Sequence, residues 1–235
     1  MITARTIDLN ADLGEGMPWD RLLLDRVTSA NICCGAHAGD PDAIASTLRA
    51  AYARGVTIGA HPGYPDRANF GRAPRQTNEI EVYNLIVSQV EDLRRLAPPG
   101  AAIRYLKPHG ALYNQAQRDP MIARGAVRAA SDLRLPILGM PGGEVERLAG
   151  EFGLRFIAEG FADRRYTPDG ALAPRTRPDA MLTEPEDIEK QLAWLLDQGI
   201  ATICVHGDHQ DSVALADRLL GFLDSRGVQA SAFVE

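Results

Sequence analysis

The chain has 235 residues, a formal net charge of −6 and a pI near 5.4, with an ordinary hydrophobic share of 45%. That length suits one domain, residues 1–235, with ample chain for a real core. The acidic balance, with no basic patch to neutralise phosphates, argues against a nucleic-acid partner.

The N-terminus runs straight into a strand-like segment, without the apolar core of a signal peptide. No apolar run reaches the roughly 18 residues of a membrane span, so the chain reads as cytoplasmic. "TIDLN" (6–10) opens the series of strand candidates. A helix is expected over 19–27, then the strand "ANICC" (30–34), a helix over 41–54 and the strand "VTIGAH" (56–61). A loop rich in Gly and Pro, "PGYPDRANFGR" (62–72), leads to a helix over 78–97. The pattern continues with "IRYLK" (103–107), a helix over 120–132, "PILGM" (136–140), a helix over 143–152 and "RFIAE" (155–159). It ends with a helix over 184–198, "TICVH" (202–206), a helix over 212–226 and a weaker strand in "VQASAFV" (228–234). "TEPE" (183–186) has the spacing of a capping box. Gly55, Gly199 and Gly227 each stand where a left-handed residue ends a helix. Strand, helix, glycine and strand, repeated, is the order of parallel βαβ units. Such units close into a barrel or spread as a doubly wound sheet, with the chemistry at the carboxyl ends of the strands in either case.

The polar residues collect at those ends. Asn10, Asp12 and Glu15 follow the first strand, His37 and Asp40 the second, and His61, Asp66 and Arg72 the third. Lys107 and His109 follow the fourth, in "KPHG"; Glu159, Asp163, Arg164 and Arg165 the sixth; His206, Asp208 and His209 the seventh, in "HGDH". All five histidines therefore lie at strand ends, a convergence that points to acid–base or metal chemistry. Asp12, His37 and His61 are a candidate carboxylate and imidazole set for a divalent ion, although their spacing is no local metal motif. His209 alone reads as exposed. Cys33, Cys34 and Cys204 lack C-x-x-C spacing and read as small buried residues in a reducing compartment. No Walker A sequence, dinucleotide fingerprint or G-x-S-x-G elbow is present.

Taken together, "DLNADLGEG", "ANICCGAHAGDP", "GVTIGAHPGYPDRANFGR", "KPHGALYN", "EGFADRRYTPDGALAPR" and "TICVHGD" resemble the LamB/YcsF family, that of the A subunit of prokaryotic ATP-dependent 5-oxoprolinase. The resemblance runs almost end to end. It implies an irregular, seven-stranded (β/α) TIM-like barrel, similar to glycoside hydrolase/deacetylase barrels. It also implies a reaction in which 5-oxoproline (pyroglutamate), ATP and water give L-glutamate, ADP and phosphate. ATP is then a co-substrate, and subunits B and C are partners. In deacetylase-like relatives an Asp and two His hold a divalent metal, which maps onto Asp12, His37 and His61.

On this reading the catalytic candidates are Asp12, His61, Lys107, His109 and Asp208, with Asp208 or His61 as proton acceptor. The substrate-binding candidates are Asn10, His37, Asp66, Arg72, Glu159, Arg164 and His206, with Lys107 and Arg72 as anion holders. "DRANFGRA" and "HGDHQDS" depart from the family's pattern, which bears on loop shape and partner docking. The alternatives are a stand-alone metal-dependent deacetylase or amidohydrolase, and a non-catalytic substrate-binding subunit. Self-association into a homo-oligomer is a further candidate.

Overall fold

Strict alternation of polar and apolar residues shapes the first strand. In β1 (Arg5–Leu13), Ile7, Leu9, Ala11 and Leu13 enter the main apolar core, while Asp8, Asn10 and Asp12 take the opposite face. Both faces are buried from Ile7 onward. The polar face of this strand therefore lines an interior, not a solvent-facing surface. A computed structural model describes residues 5–234; the first four residues, on which the reading of the N-terminus partly falls, and the last lie outside the described residues.

The remaining strands are β2 (Ser29–Cys33), β3 (Thr57–His61), β4 (Ile103–Leu106), β5 (Ile137–Gly139), β6 (Phe156–Phe161), β7 (Thr202–Val205) and β8 (Val228–Ala230). The helices are α1 (Asp20–Leu24), α2 (Pro41–Ala53), α3 (Glu79–Leu96), α4 (Gly110–Ala116), α5 (Pro120–Asp132), α6 (Glu144–Glu151), α7 (Pro185–Asp197) and α8 (Ser212–Ser225). All strand pairs within the sheet are parallel, in the order β2-β3-β4-β5-β6-β7-β1-β8, and β1 also pairs with β2. β1 to β7 thus close into a seven-stranded α/β TIM-like barrel, as expected. β8 lies outside the ring, pairing with Arg5–Ile7 below the point where β7 takes over along Asp8–Ala11. The seam between β4 and β5 rests on the single pair Leu106 and Ile137, which makes the barrel irregular.

Local sequence explains most helix starts. Asp40, Asn78 and Asp119 accept hydrogen bonds from backbone N–H groups at the starts of α2, α3 and α5, and Pro41 and Pro120 follow as pre-shaped first residues. Three expectations need correction. The expected capping box at 183–186 does not form: Glu184 is the N-cap of α7, without a side-chain cap, because Pro185 starts the helix one residue later. The helix expected over 19–27 shortens to Asp20–Leu24. Helix α4 was not expected at all, since Gly110 at φ 54° opens it and it is only 7 residues long. Among the described residues, no helix is long and apolar enough to cross a membrane.

Outward strand residues such as Leu9, Ile32, Leu106 and Ile203 pack on Leu48, Ile86, Val127 and Leu219 of the helices. Each such side chain contributes about 1.5–3 kcal/mol by leaving water. The barrel floor is a second small apolar layer of Tyr105, Leu138 and Ile157, against which Phe233 and Val234 pack. Tyr105 is fixed there, because its hydroxyl donates to Asn31 Oδ1 at 2.7 Å. A Cβ at Gly59 would overlap the Tyr105 ring, so that glycine makes room for the floor. Gly59→Ala is expected to lower stability by about 1–3 kcal/mol through overpacking. Urea denaturation measures this, and an unchanged midpoint would refute the floor's rigidity.

Candidate functional site

Above the floor the lumen is polar. Asp8 Oδ1 accepts from Thr28 and Ser29, each at 2.6 Å, and Oδ2 accepts from Thr202. Burial, opposed by those hydroxyls, pushes the Asp8 carboxyl up to about 6. One layer higher, Asn10 donates to Glu159 Oε1 at 3.1 Å and to Thr202 Oγ1 at 2.7 Å. Asn31 donates to Asn10 Oδ1 at 2.6 Å and to Asp12 Oδ1 at 2.8 Å.

Lys107, at the end of β4, reaches across this layer. Its Nζ lies 2.8 Å from Glu159 Oε1, 3.0 Å from Asp12 Oδ1, 3.3 Å from Asn10 Oδ1 and 2.9 Å from Cys204 Sγ. Burial alone would neutralise the amine, but Asp12, Cys204 and Glu159 outweigh it and hold Lys107 well above its ordinary value. Asp12 is likewise held well below the usual carboxylate range: burial is overcome by His61 and Lys107. The Lys107 ammonium has three hydrogens, and its acceptors use them all. It therefore organises the site and is not a free anion holder.

Three histidines sit on top. His61 Nδ1 is 2.8 Å from the Lys107 carbonyl, and His109 Nε2 is 2.8 Å from the Phe70 carbonyl, so each ring carries a hydrogen there. The facing atoms, His61 Nε2 and His109 Nδ1, are 2.9 Å apart. That contact is a hydrogen bond only when the pair holds one further hydrogen. Asp12, 3.4 Å from His61, is the carboxylate that balances it, and Glu15 lies 3.5 Å from His109. His37 stacks flat on His109, with ring centroids 3.7 Å apart, and meets Glu15 Oε1 at 3.1 Å. Burial first, then the neighbouring His61, holds His37 down at about 3 and His109 well below the ordinary histidine range. Glu15 moves the other way, pushed well above its ordinary value by burial and by Asp12 and Asp208.

The loop after β3 sets the height of these rings. Gln89 of α3 pins it by accepting from Gly63 N–H at 3.1 Å and donating to Gly63 O at 2.8 Å. Asp66 accepts from the Asn69 backbone and side chain, capping a 3₁₀ turn over Arg67–Asn69. Phe70 follows in the left-handed region at φ 56°, a strained choice for a bulky residue, and this turns its carbonyl onto His109. A Cβ at Gly71 would crowd His37 and His109.

At the rim, Asp208 pairs with Arg72 and, at 3.4 Å, with Arg175 from the 162–184 loop. Asp163 lies 3.3 Å from His206 Nδ1, and His206 stacks on Phe161. Arg164 donates to Ala173 O at 2.7 Å, while its Nε is buried without a partner. Burial, with Arg175 nearby, lowers Arg164 to about 10.

Asn10, Asp12, His37, His61, Lys107, His109 and Glu159 thus form one buried, connected cluster. Arg72, Arg164, His206 and Asp208 form its rim. Asp66 caps the turn through Asn69, and its side-chain hydrogen bonds go to that turn and not to the cluster; Arg67, Ala68 and Asn69, the divergent stretch, are exposed. His209 is exposed, as expected. Sequence reasoning placed Glu15 among the strand-end polar residues without a specific role, and assigned no site role to Asn31, Tyr113, Arg175 or Cys204. Asn31 and Cys204 were discoverable, because strand alternation points both into the lumen that Asp12 lines.

The metal set implied by resemblance does not fit. Lys107 stands 3.0 Å from Asp12 Oδ1, a cation beside the carboxylate an ion would need, and His61 Nδ1 is held by the Lys107 carbonyl at 2.8 Å, with Nε2 turned to His109. Two other groups bring their ligand atoms within 4.8 Å of one another: Glu15, His37 and His109, and Asp12, Cys204 and His206. Among the described residues, Asp12, His37 and His61 do not converge in this way.

Fold and cluster together define a TIM-like (β/α)-barrel protein with a buried acid–base centre at the carboxyl ends of its strands. More narrowly, the chain belongs to the LamB/YcsF family, whose profile matches residues 7–235. It is 44% identical to the 5-oxoprolinase A subunit of Methylococcus capsulatus, covering 97% of this chain and 96% of that protein. The corresponding protein of Limosilactobacillus fermentum is 40% identical, over 96% of this chain and 98% of its own. The crystal structure of a lactam utilization protein from Thermus thermophilus superposes with a TM-score of 0.88 at 34% identity, covering 97% of this chain and all of that one. A family 4 carbohydrate esterase from Streptomyces lividans shares the fold alone, with a TM-score of 0.52 at 12% identity over 97% of this chain and 92% of that one.

The rim pairing predicts a pH signature. Burial raises the Asp208 carboxyl, but Arg175 and Arg72 outweigh it and hold it at about 2. A carboxyl lower in the folded than in the unfolded chain adds stability above about pH 4, and this is lost as pH falls toward 2. Asp208→Asn is therefore expected to be less stable at neutral pH and to lose less between pH 4 and 2. Denaturation midpoints measured against pH test this; parallel curves for both proteins would refute it.

Proposed function

We propose that this chain, as one barrel domain, is the lactam-handling A subunit of an ATP-dependent 5-oxoprolinase acting with B and C subunits. The observation that carries the reading is the buried relay from Asp12 and Lys107 through His61 to His109, in a chain 44% identical to a protein of that name. A five-membered lactam resists water because its amide is resonance-stabilised. Phosphorylation of the lactam oxygen from ATP makes the ring carbon electrophilic. Water then adds to that carbon and the ring C–N bond breaks as a proton reaches nitrogen. Loss of the phosphoryl group to a second water leaves glutamate and phosphate.

The residues divide that work. The hydrogen between His61 and His109 is the one exchanged with the attacking water and the leaving nitrogen, and Asp12 orients His61 from 3.4 Å. Asp208, tied to two arginines and held at about 2, is a poor proton acceptor, so that role falls to the histidine pair. Arg164, with its unpartnered Nε, and Arg72 face the carboxylate of the substrate. No nucleotide motif occurs in the chain, which supports giving the ATP step to the partner subunits.

The test is glutamate formation from 5-oxoproline and ATP, by this chain alone and then with B and C subunits. Product is expected only from the full mixture, and ATP-independent product from the chain alone would overturn the reading. In the full mixture His61→Asn is expected to lower kcat by about 10²–10⁴-fold. An unchanged kcat would remove His61 from the chemistry.

A further inference from the structure

Two buried polar atoms in the lumen lack partners, and they lie side by side. Glu159 Oε1 is saturated by Lys107 at 2.8 Å and Asn10 at 3.1 Å, but Oε2 has no hydrogen bond. The Tyr113 hydroxyl, delivered by α4, also has none. Their walls are apolar: Tyr113 packs with Met140, Phe161 and Cys204, its ring edge-on to Phe161 at 5.9 Å. Burial and then the Glu159 carboxylate, which lies within hydrogen-bonding reach of the hydroxyl, drive the phenol well above its ordinary value, so it is a neutral hydroxyl beside a carboxylate oxygen. Orphaned buried groups are rare in folded proteins and costly to keep. One donor and one acceptor, adjacent but without a well-aligned hydrogen bond between them, are the complementary pair that the edge of a ligand can take up.

The two atoms ask for a specific partner. Tyr113 offers an O–H and Glu159 offers a lone pair, so the ligand must present an acceptor and a donor on one edge. An amide held cis by a small ring does this, since its C=O and N–H lie on the same side. An open-chain secondary amide is trans and turns them to opposite sides.

Resting on the 5-oxoprolinase reading, we propose that Tyr113 and Glu159 are the specificity-determining pair for the lactam edge. The Tyr113 hydroxyl donates to the ring carbonyl oxygen, and Glu159 Oε2 accepts from the ring N–H. Lys107 holds the other Glu159 oxygen and fixes the carboxylate's rotation, while Phe161 and Met140 cover the ring's carbon face. The slot therefore selects cis-locked amides and rejects both open-chain amides and the lactone in which ring oxygen replaces N–H.

Calorimetric titration of the full chain with 5-oxoproline, and with its ring-oxygen lactone analogue, tests this. The unmodified protein is expected to favour the lactam by about 10–100-fold, the usual effect of leaving one buried partner unpaired. Tyr113→Phe is expected to keep the melting temperature, because its hydroxyl makes no well-aligned hydrogen bond among the described residues, and to weaken lactam binding about tenfold. Glu159→Gln is expected to erase the lactam preference; Tyr113→Phe carries the test alone if that variant does not fold. Equal binding of lactam and lactone by the unmodified protein overturns the inference. So does a Tyr113→Phe protein that melts lower yet binds as before, since the hydroxyl would then serve Glu159 internally. Failure of the unmodified protein to bind 5-oxoproline, alone or with its B and C partners, overturns the functional reading and the inference together.

Discussion

The site depends on one buried cation. Lys107 lies inside a closed barrel, where an ammonium alone would be strongly disfavoured, and it persists because Asp12 and Glu159 meet it at 3.0 and 2.8 Å. Each carboxylate would in turn be untenable without the lysine. Breaking such a buried group by removing one partner typically costs about 3–5 kcal/mol, so these residues are obligatory to one another. Their strands, β1, β6 and the end of β4, are not adjacent in the sheet, and the ammonium crosses the lumen between them. The same charge keeps Asp12 ionised beneath His61. The positioning of the histidine pair therefore begins with the lysine below it.

The loops complete what the strands begin. Gln89 and Asp66 fix the path after β3, and Phe70 accepts a left-handed conformation so that its carbonyl can hold His109. Rigid connections here maintain ring positions to within a hydrogen bond's tolerance, where mobile loops would not. The 162–184 loop then arches over the rim and joins Asp208 through Arg175. The result is a polar centre almost wholly out of water: His37 is 0%, His61 1%, Lys107 2% and His109 4% exposed. In that setting fixed charges act at short range with little screening, which is the electrostatic condition for acid–base work on a poor electrophile.

Much of this was legible in the sequence. The strand order, most of the helices and the gathering of polar residues at strand ends follow from periodicity and from glycines at helix ends. The barrel's seven strands were implied by resemblance, since βαβ grammar alone also allows an open sheet. What escaped notice has physical causes. Tyr113 rides on a seven-residue helix too short to show a period, and a lone tyrosine carries no chemical signature. The metal set failed because Asp12, His37 and His61 look alike as strand-end ligands, and nothing local reveals that Lys107 has taken the carboxylate. Asp208, flanked by histidines in the chain, reads as a base; in space it is paired with two arginines.

By itself the sequence determined most of the strands, helices and turns, because side-chain alternation, caps and glycine conformations act over a few residues. It also determined that β1 presents Asp8, Asn10 and Asp12 on one face. Only the tertiary structure decided that this face looks inward, into a lumen shared with Asn31, Lys107, Glu159 and Cys204. Charge pairing and burial depend on which strands close the ring and at what register. Those are long-range facts: Asp12 and Lys107 are 95 positions apart in the chain, and 3.0 Å apart in the fold.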